Sequence, residues 1–175
     1  DASSNALNQN IALTVVDTTQ PTWQVTPADN TSIQLGAAYS QDVEATDLQA
    51  IAYSLNDTSK FQINSATGLI TNTTFVPVGT YNLKITATDA SSNALNQNIA
   101  LTVVDTVAPA WTITPADNTS IELGTLYSQD VEATDLQTIT YSLNDTSKFQ
   151  INSATGLITN TTFVPVGTYN LKITA

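Results

Sequence analysis

Residues 1–18, DASSNALNQNIALTVVDT, recur unchanged at 89–106, and the match continues at an offset of 88 residues through the rest of the 175-residue sequence. Between 1–87 and 89–175 only ten positions differ: Thr19/Val107, Gln20/Ala108, Thr22/Ala110, Gln24/Thr112, Val25/Ile113, Gln34/Glu122, Ala37/Thr125, Ala38/Leu126, Ala50/Thr138 and Ala52/Thr140. Near-identity at a fixed period constrains the fold more than any other feature, because the same unit must form twice and stack on copies of itself. Repetition supplies length, spacing and avidity, which a single active site does not need. The stretches VVDTTQPTW (15–23) and VVDTVAPAW (103–111) read as a strand end, a short linker with Pro and a new strand. Residues 19–106 therefore read as one complete domain. Residues 107–175 read as a second without its last strand, and residues 1–18 as that same last strand with no domain of their own.

Helical periodicity is absent throughout, while Thr, Ser, Asn and alternating Val, Ile and Leu have the composition of strands. Period-two alternation marks about seven short strands per repeat. Trp23 and Val25, then Ile33 and Leu35, make a split first strand. Val43 and Ala45 follow, then Ile51, Tyr53 and Leu55, then Phe61 and Ile63, then Leu69. Tyr81, Leu83, Ile85 and Ala87 face inward from the sixth strand, and Ile99, Leu101 and Val103 from the seventh. Turn signals separate them at Pro27–Asn30, Asn56–Ser59, Ala66–Gly68 and Pro77–Gly79. Many short strands with frequent turns imply an all-β protein of tandem Greek-key β-sandwiches, one per 88 residues.

Charge excludes some partners. Four Lys against fifteen Asp and Glu give a net charge of −11, which disfavours nucleic acid and anionic lipid. No apolar run is long enough to span a bilayer. Without His or Cys, most nucleophile–base pairs are unavailable. Asp42 and Glu44 are two apart on one strand and share the face opposite Val43 and Ala45, a solvated strand face rather than a catalytic pair, so the chain reads as non-enzymatic.

Val43-Glu-Ala-Thr-Asp47 with Ile51-Ala-Tyr53-Ser-Leu55, Phe61-Gln-Ile63 with Thr67-Gly68-Leu-Ile70, Tyr81-Asn-Leu83-Lys-Ile85-Thr-Ala87-Thr-Asp89, and Val103-Val-Asp105 with Pro109-Ala-Trp111 follow one another at regular spacings. In this order they resemble the cadherin-like and Ig-like repeat families of large surface proteins. The resemblance covers the whole repeat. It implies sandwiches strung end to end in adhesins and other extracellular, cell-surface proteins. In cadherins, calcium at each junction is held by a D-x-N-D-N linker, a D-x-D pair and an acidic turn. Here the linker keeps Asp17 and Asp105, and the pair keeps Asp47 and Asp135, followed by Gln49 and Gln137. Phe75-Val-Pro-Val-Gly79 replaces the acidic turn.

No cofactor is required by this reading, and calcium is the one candidate ligand. The second and sixth strands run toward the N-terminal pole, which brings Asp47 and Asp89 to where Asp17 enters. Asp105 and Asp135 repeat two of these positions. Three carboxylates are a start on the six to eight oxygens that calcium takes; the alternative is that they only cap turns. Asn30, Asn56, Asn72, Asn118, Asn144 and Asn160 open N-x-S/T sequons in expected loops and are candidate glycan acceptors.

Residues 9–16, QNIALTVV, read as a strand whose apolar face, Ile11, Leu13 and Val15, has no sheet of its own. Spanning a sandwich of roughly 40 Å to reach the vacant edge of the second domain would use up the segment at about 3.3 Å per residue. Two readings remain: a window on one continuous array, or donation of the strand to an identical subunit. Either way the expected role is the shaft of an extracellular filament, stalk or giant adhesin, with identical repeats or subunits as partners. The alternative is an adhesive module that binds cell-surface glycan or protein through loops such as 26–32 or 56–60.

Overall fold

Strands form where alternation and turn chemistry agree. The computed structural model describes residues 6–175, which contain β-strands and turns and no helix long and apolar enough to cross a membrane. The chain divides into two units, Asp1–Val104 and Asp105–Ala175, so Asp105 and Thr106 belong with the second repeat.

In the first unit the strands are β1 (Thr22–Val25), β2 (Thr31–Gln34), β3 (Ser40–Gln41), β4 (Glu44–Thr46), β5 (Ala52–Leu55), β6 (Phe61–Ile63), β7 (Ile70–Asn72), β8 (Gly79–Thr88) and β9 (Ala94–Val104). One sheet has the order β2-β9-β8-β5 and another β3-β7-β6, while β1 pairs with β4. The first strand is indeed split: β1 runs antiparallel to β4, then the chain crosses over and β2 runs parallel to β9. The backbone of the sandwich is the β8–β9 pair, in unbroken register from Gly79↔Val103 to Thr88↔Ala94. Leu83, Ile85, Leu101 and Val103 of this sheet meet Val43, Phe61 and Ile70 of the others in one buried core. Phe61 packs edge-on to both Tyr39 and Tyr81, and the Tyr81 hydroxyl donates to the Pro77 carbonyl at 2.8 Å, tying the β8 entry to the turn before it.

Two residues expected in the core lie outside it. Val25 is exposed because the β1–β4 register slips between Trp23 and Val25, a bulge that turns its side chain outward. Leu69 is exposed because Gly68, at φ 78°, sets the chain so that Ile70 faces inward instead.

In the second unit the strands are β10 (Ala110–Ile113), β11 (Ser128–Gln129), β12 (Glu132–Thr134), β13 (Ser142–Leu143), β14 (Phe149–Ile151), β15 (Ile158–Asn160) and β16 (Ile173–Thr174). The β10–β12 and β11-β15-β14 sheets repeat those of the first unit. Its third sheet does not. Only β13 and β16 pair, over two residues each, and among the described residues nothing corresponds to β2 or β9. The packing follows suit: Leu35 is 4% exposed, whereas its counterpart Leu123 is 58% exposed.

The segment expected as an orphan strand is not one here. Residues 6–18 carry no strand structure, and Ile11, Leu13 and Val15 are 86%, 85% and 88% exposed. Without a neighbouring edge, the backbone groups of this stretch have no ladder to join. Residues 1–5 of the same stretch lie outside the described residues.

Candidate functional site

The N-terminal pole of the first unit gathers side chains from three stretches. Asp47 follows β4, Asp89 follows β8, and Asp17 lies on the segment leading into β1. One carboxylate oxygen from each of Asp17, Asp47 and Asp89 lies within 4.8 Å of the other two. The alternation explains the convergence: β4 and β8 both end at this pole, and each ends one step after an inward-facing alanine, Ala45 and Ala87.

Two amide side chains hold the group together. The Gln49 Nε2 donates to Asp17 Oδ2 and to Ser91 Oγ, each at 2.7 Å. The Asn93 Nδ2 donates to Asp89 Oδ2 at 2.7 Å and to the Asp17 carbonyl at 3.3 Å. Backbone amides add to this: Gln49 to Asp47, Asn93 to Asp89, and Thr19 to Asp17, at 2.8–3.0 Å. Burial pushes the Asp89 carboxyl up. The side-chain and backbone bonds from Asn93, with backbone bonds from Ser91 and Ser92, outweigh that and hold it below the usual carboxylate range. The result is an anionic clasp that fastens the incoming chain at Asp17 to the pole. Each carboxylate retains acceptor capacity beyond these bonds.

In the second unit the clasp recurs in part. Gln137 Nε2 donates to Asp105 Oδ2 at 2.7 Å, and the Gln137 amide donates to Asp135 at 2.8 Å. The position equivalent to Asp89 falls beyond Ala175 in this sequence. The sequence reading picked out the aspartates but not Gln49 and Asn93. The signal was present in the placement of Gln where a D-x-D pair would have its second Asp, and in an Asn four residues after Asp89.

The sequon asparagines fall into two groups. Asn30 and Asn118 are exposed at turn positions with φ 54° and 56°. The other four brace the fold. Asn56 Oδ1 accepts the Lys84 amide at 2.8 Å and Asn72 Oδ1 accepts the Tyr39 amide at 2.8 Å; Asn144 and Asn160 make the same bonds to Lys172 and Tyr127. Asp42 and Glu44 line an open groove with Asp47, Gln49, Tyr53 and Thr67. Trp23 stacks on Tyr53 with ring centroids 6.5 Å apart, which gives it a packing role at the start of the domain.

No family model matches the sequence, and no curated protein matches it. Among solved structures, human CDH23 EC21-23 is 24% identical with a TM-score of 0.44, over 83% of this chain and 55% of that one. The extracellular cadherin domains 1-4 of protocadherin gamma B7 are 19% identical with a TM-score of 0.43, over 88% of this chain and 44% of that one. The titin domains z1z2, solved with telethonin, are 13% identical with a TM-score of 0.48, over 83% of this chain and 82% of that one. The chain thus spans about half the length of the two cadherin structures.

Proposed function

We propose that this chain is a structural segment of an extracellular filament, stalk or giant adhesin on a microbial cell surface, built from near-identical sandwiches joined end to end. The observation that carries this reading is where the two copies agree. Loop 26–32 is identical to 114–120 and loop 56–60 to 144–148, while all ten differences lie elsewhere. A loop-based recognition module gains specificity by varying its loops; a shaft keeps every unit alike. The open acidic groove has neither a His nor a Cys to work with, in keeping with a non-catalytic role. Antibodies raised against the chain should label intact, unpermeabilised source cells along extended fibres. Labelling confined to lysed cells would contradict the proposal, and loop-dependent signals on a glycan array would favour an adhesive binding module instead.

At the pole, Asp17, Asp47 and Asp89 suit a hard divalent cation such as calcium, by the closeness of their carboxylates and their spare acceptor capacity. The ion would supply a rigid link between the incoming segment and the sandwich. Asp105 and Asp135 would play the same part in the following repeat. Calorimetric titration should show heat at millimolar calcium that disappears in Asp47→Asn; a flat titration would leave the amide clasp as the whole of the junction.

A further inference from the structure

We propose that residues 6–16 of one copy of this chain complete the unfinished sheet of the second unit in another copy. Ala6–Val16 is identical, residue for residue, to β9, the strand that the second unit lacks. In the first unit β9 lies between β2 and β8, with Ile99, Leu101 and Val103 all within 2% of full burial. The same three side chains in the N-terminal copy, Ile11, Leu13 and Val15, are almost wholly exposed. The receiving unit shows a matching deficit at the places that β9 covers. Leu123 and Ile121 are exposed, residues 119–122 form no strand, and the ten-residue β8 has shrunk to the two residues of β16.

The register is fixed by the complete unit. Shifting the β8–β9 ladder by 88 residues sets Val15 opposite Gly167, Leu13 opposite Tyr169 and Ile11 opposite Leu171, antiparallel. Shifting the β2–β9 ladder sets Leu13 opposite Thr119 and Val15 opposite Ile121, parallel. Two further bonds specify the same seat. Asp29 Oδ1 accepts the Ala100 amide at 2.7 Å, and the Leu35 amide donates to the Val104 carbonyl at 2.7 Å. The equivalents join Asp117 to Ala12 and Leu123 to Val16. A one-residue slip would point the apolar face outward, so this register excludes its neighbours. The contact is heterologous, since the donating and accepting surfaces differ, and it propagates as a filament.

This inference rests on the tandem-array reading, and the test separates the two. Sedimentation and electron microscopy of the 175-residue chain should show end-to-end oligomers that lengthen with concentration. Leu13→Asp, at a position exposed in the free chain, should leave the first unit's unfolding unchanged and give monomers. A peptide of residues 6–16 should cap the oligomers and bring hydrogen-exchange protection to residues 167–175. A chain with a copy of Thr88–Thr106 appended after Ala175 should fill the groove in cis and stay monomeric. Wild-type chain that is monomeric at every concentration would overturn strand exchange. In that case, stabilisation of the second unit by the appended segment would leave the array standing, and failure of the appended segment to stabilise it would remove both.

Discussion

Gly68 and its counterpart Gly156 show how single residues fix this sandwich. Gly68 has φ 78°, and a Cβ there would lie 2.1 Å from the Val43 carbonyl oxygen, with Val131 in the same place beside Gly156. Both the backbone angle and the contact require glycine. Gly68→Ala should destabilise the first unit by about 2 kcal/mol or more, read from denaturant midpoints. A loss below about 0.5 kcal/mol would mean that the turn can move away from β4 at little cost. Asp89 sets a pH dependence. Its folded carboxyl titrates below the unfolded value of about 3.9, so its contribution is fully present above that value. The contribution is lost as pH falls through the lowered folded value. The first unit's melting temperature should therefore drop as pH goes from 5 toward 2, and less steeply in Asp89→Asn. Equal slopes would place the linkage on other carboxylates.

At the level of elements, the strands with clean alternation were legible in the sequence. The β8 and β9 faces came out as read, because each is buried on one side along its whole length. Val25 and Leu69 did not, because a bulge and a left-handed glycine shift the parity locally, and neither leaves a mark in a period-two pattern. The sequons pointed to loops, yet Asn56 and Asn72 act as braces to the Lys84 and Tyr39 amides, a role that depends on contacts 28 and 33 residues away. The same non-locality hid the amide donors of the pole: Gln49 reaches Asp17 across 32 positions. The ladder difference between the units has a measurable consequence. With one Trp per unit, Trp23 and Trp111 report separately once the other is replaced by Phe. Monomeric Leu13→Asp chain should unfold in two steps, with Trp111 changing first because its unit lacks the β9 counterpart. Coincident transitions would show that the two units unfold together.

On the scale of the whole molecule, the chain is one sandwich with its full set of strands and a second whose third sheet is unfilled, preceded by an unpaired copy of the missing strand. The repeat makes every unit both donor and acceptor, and the strand that completes a unit is spelled the same way each time. That arrangement suits a shaft whose length is set by copy number, with any cation at the Asp17–Asp47–Asp89 pole stiffening the entry of each repeat. The central claim is that the 11-residue strand is what separates an unfinished unit from a finished one. Its most direct test is differential scanning calorimetry of the chain with and without a copy of Thr88–Thr106 after Ala175, both carrying Leu13→Asp to exclude exchange. The account predicts that the lower-melting transition of the second unit rises to join that of the first. A second unit whose melting temperature is unmoved by the added strand would contradict it.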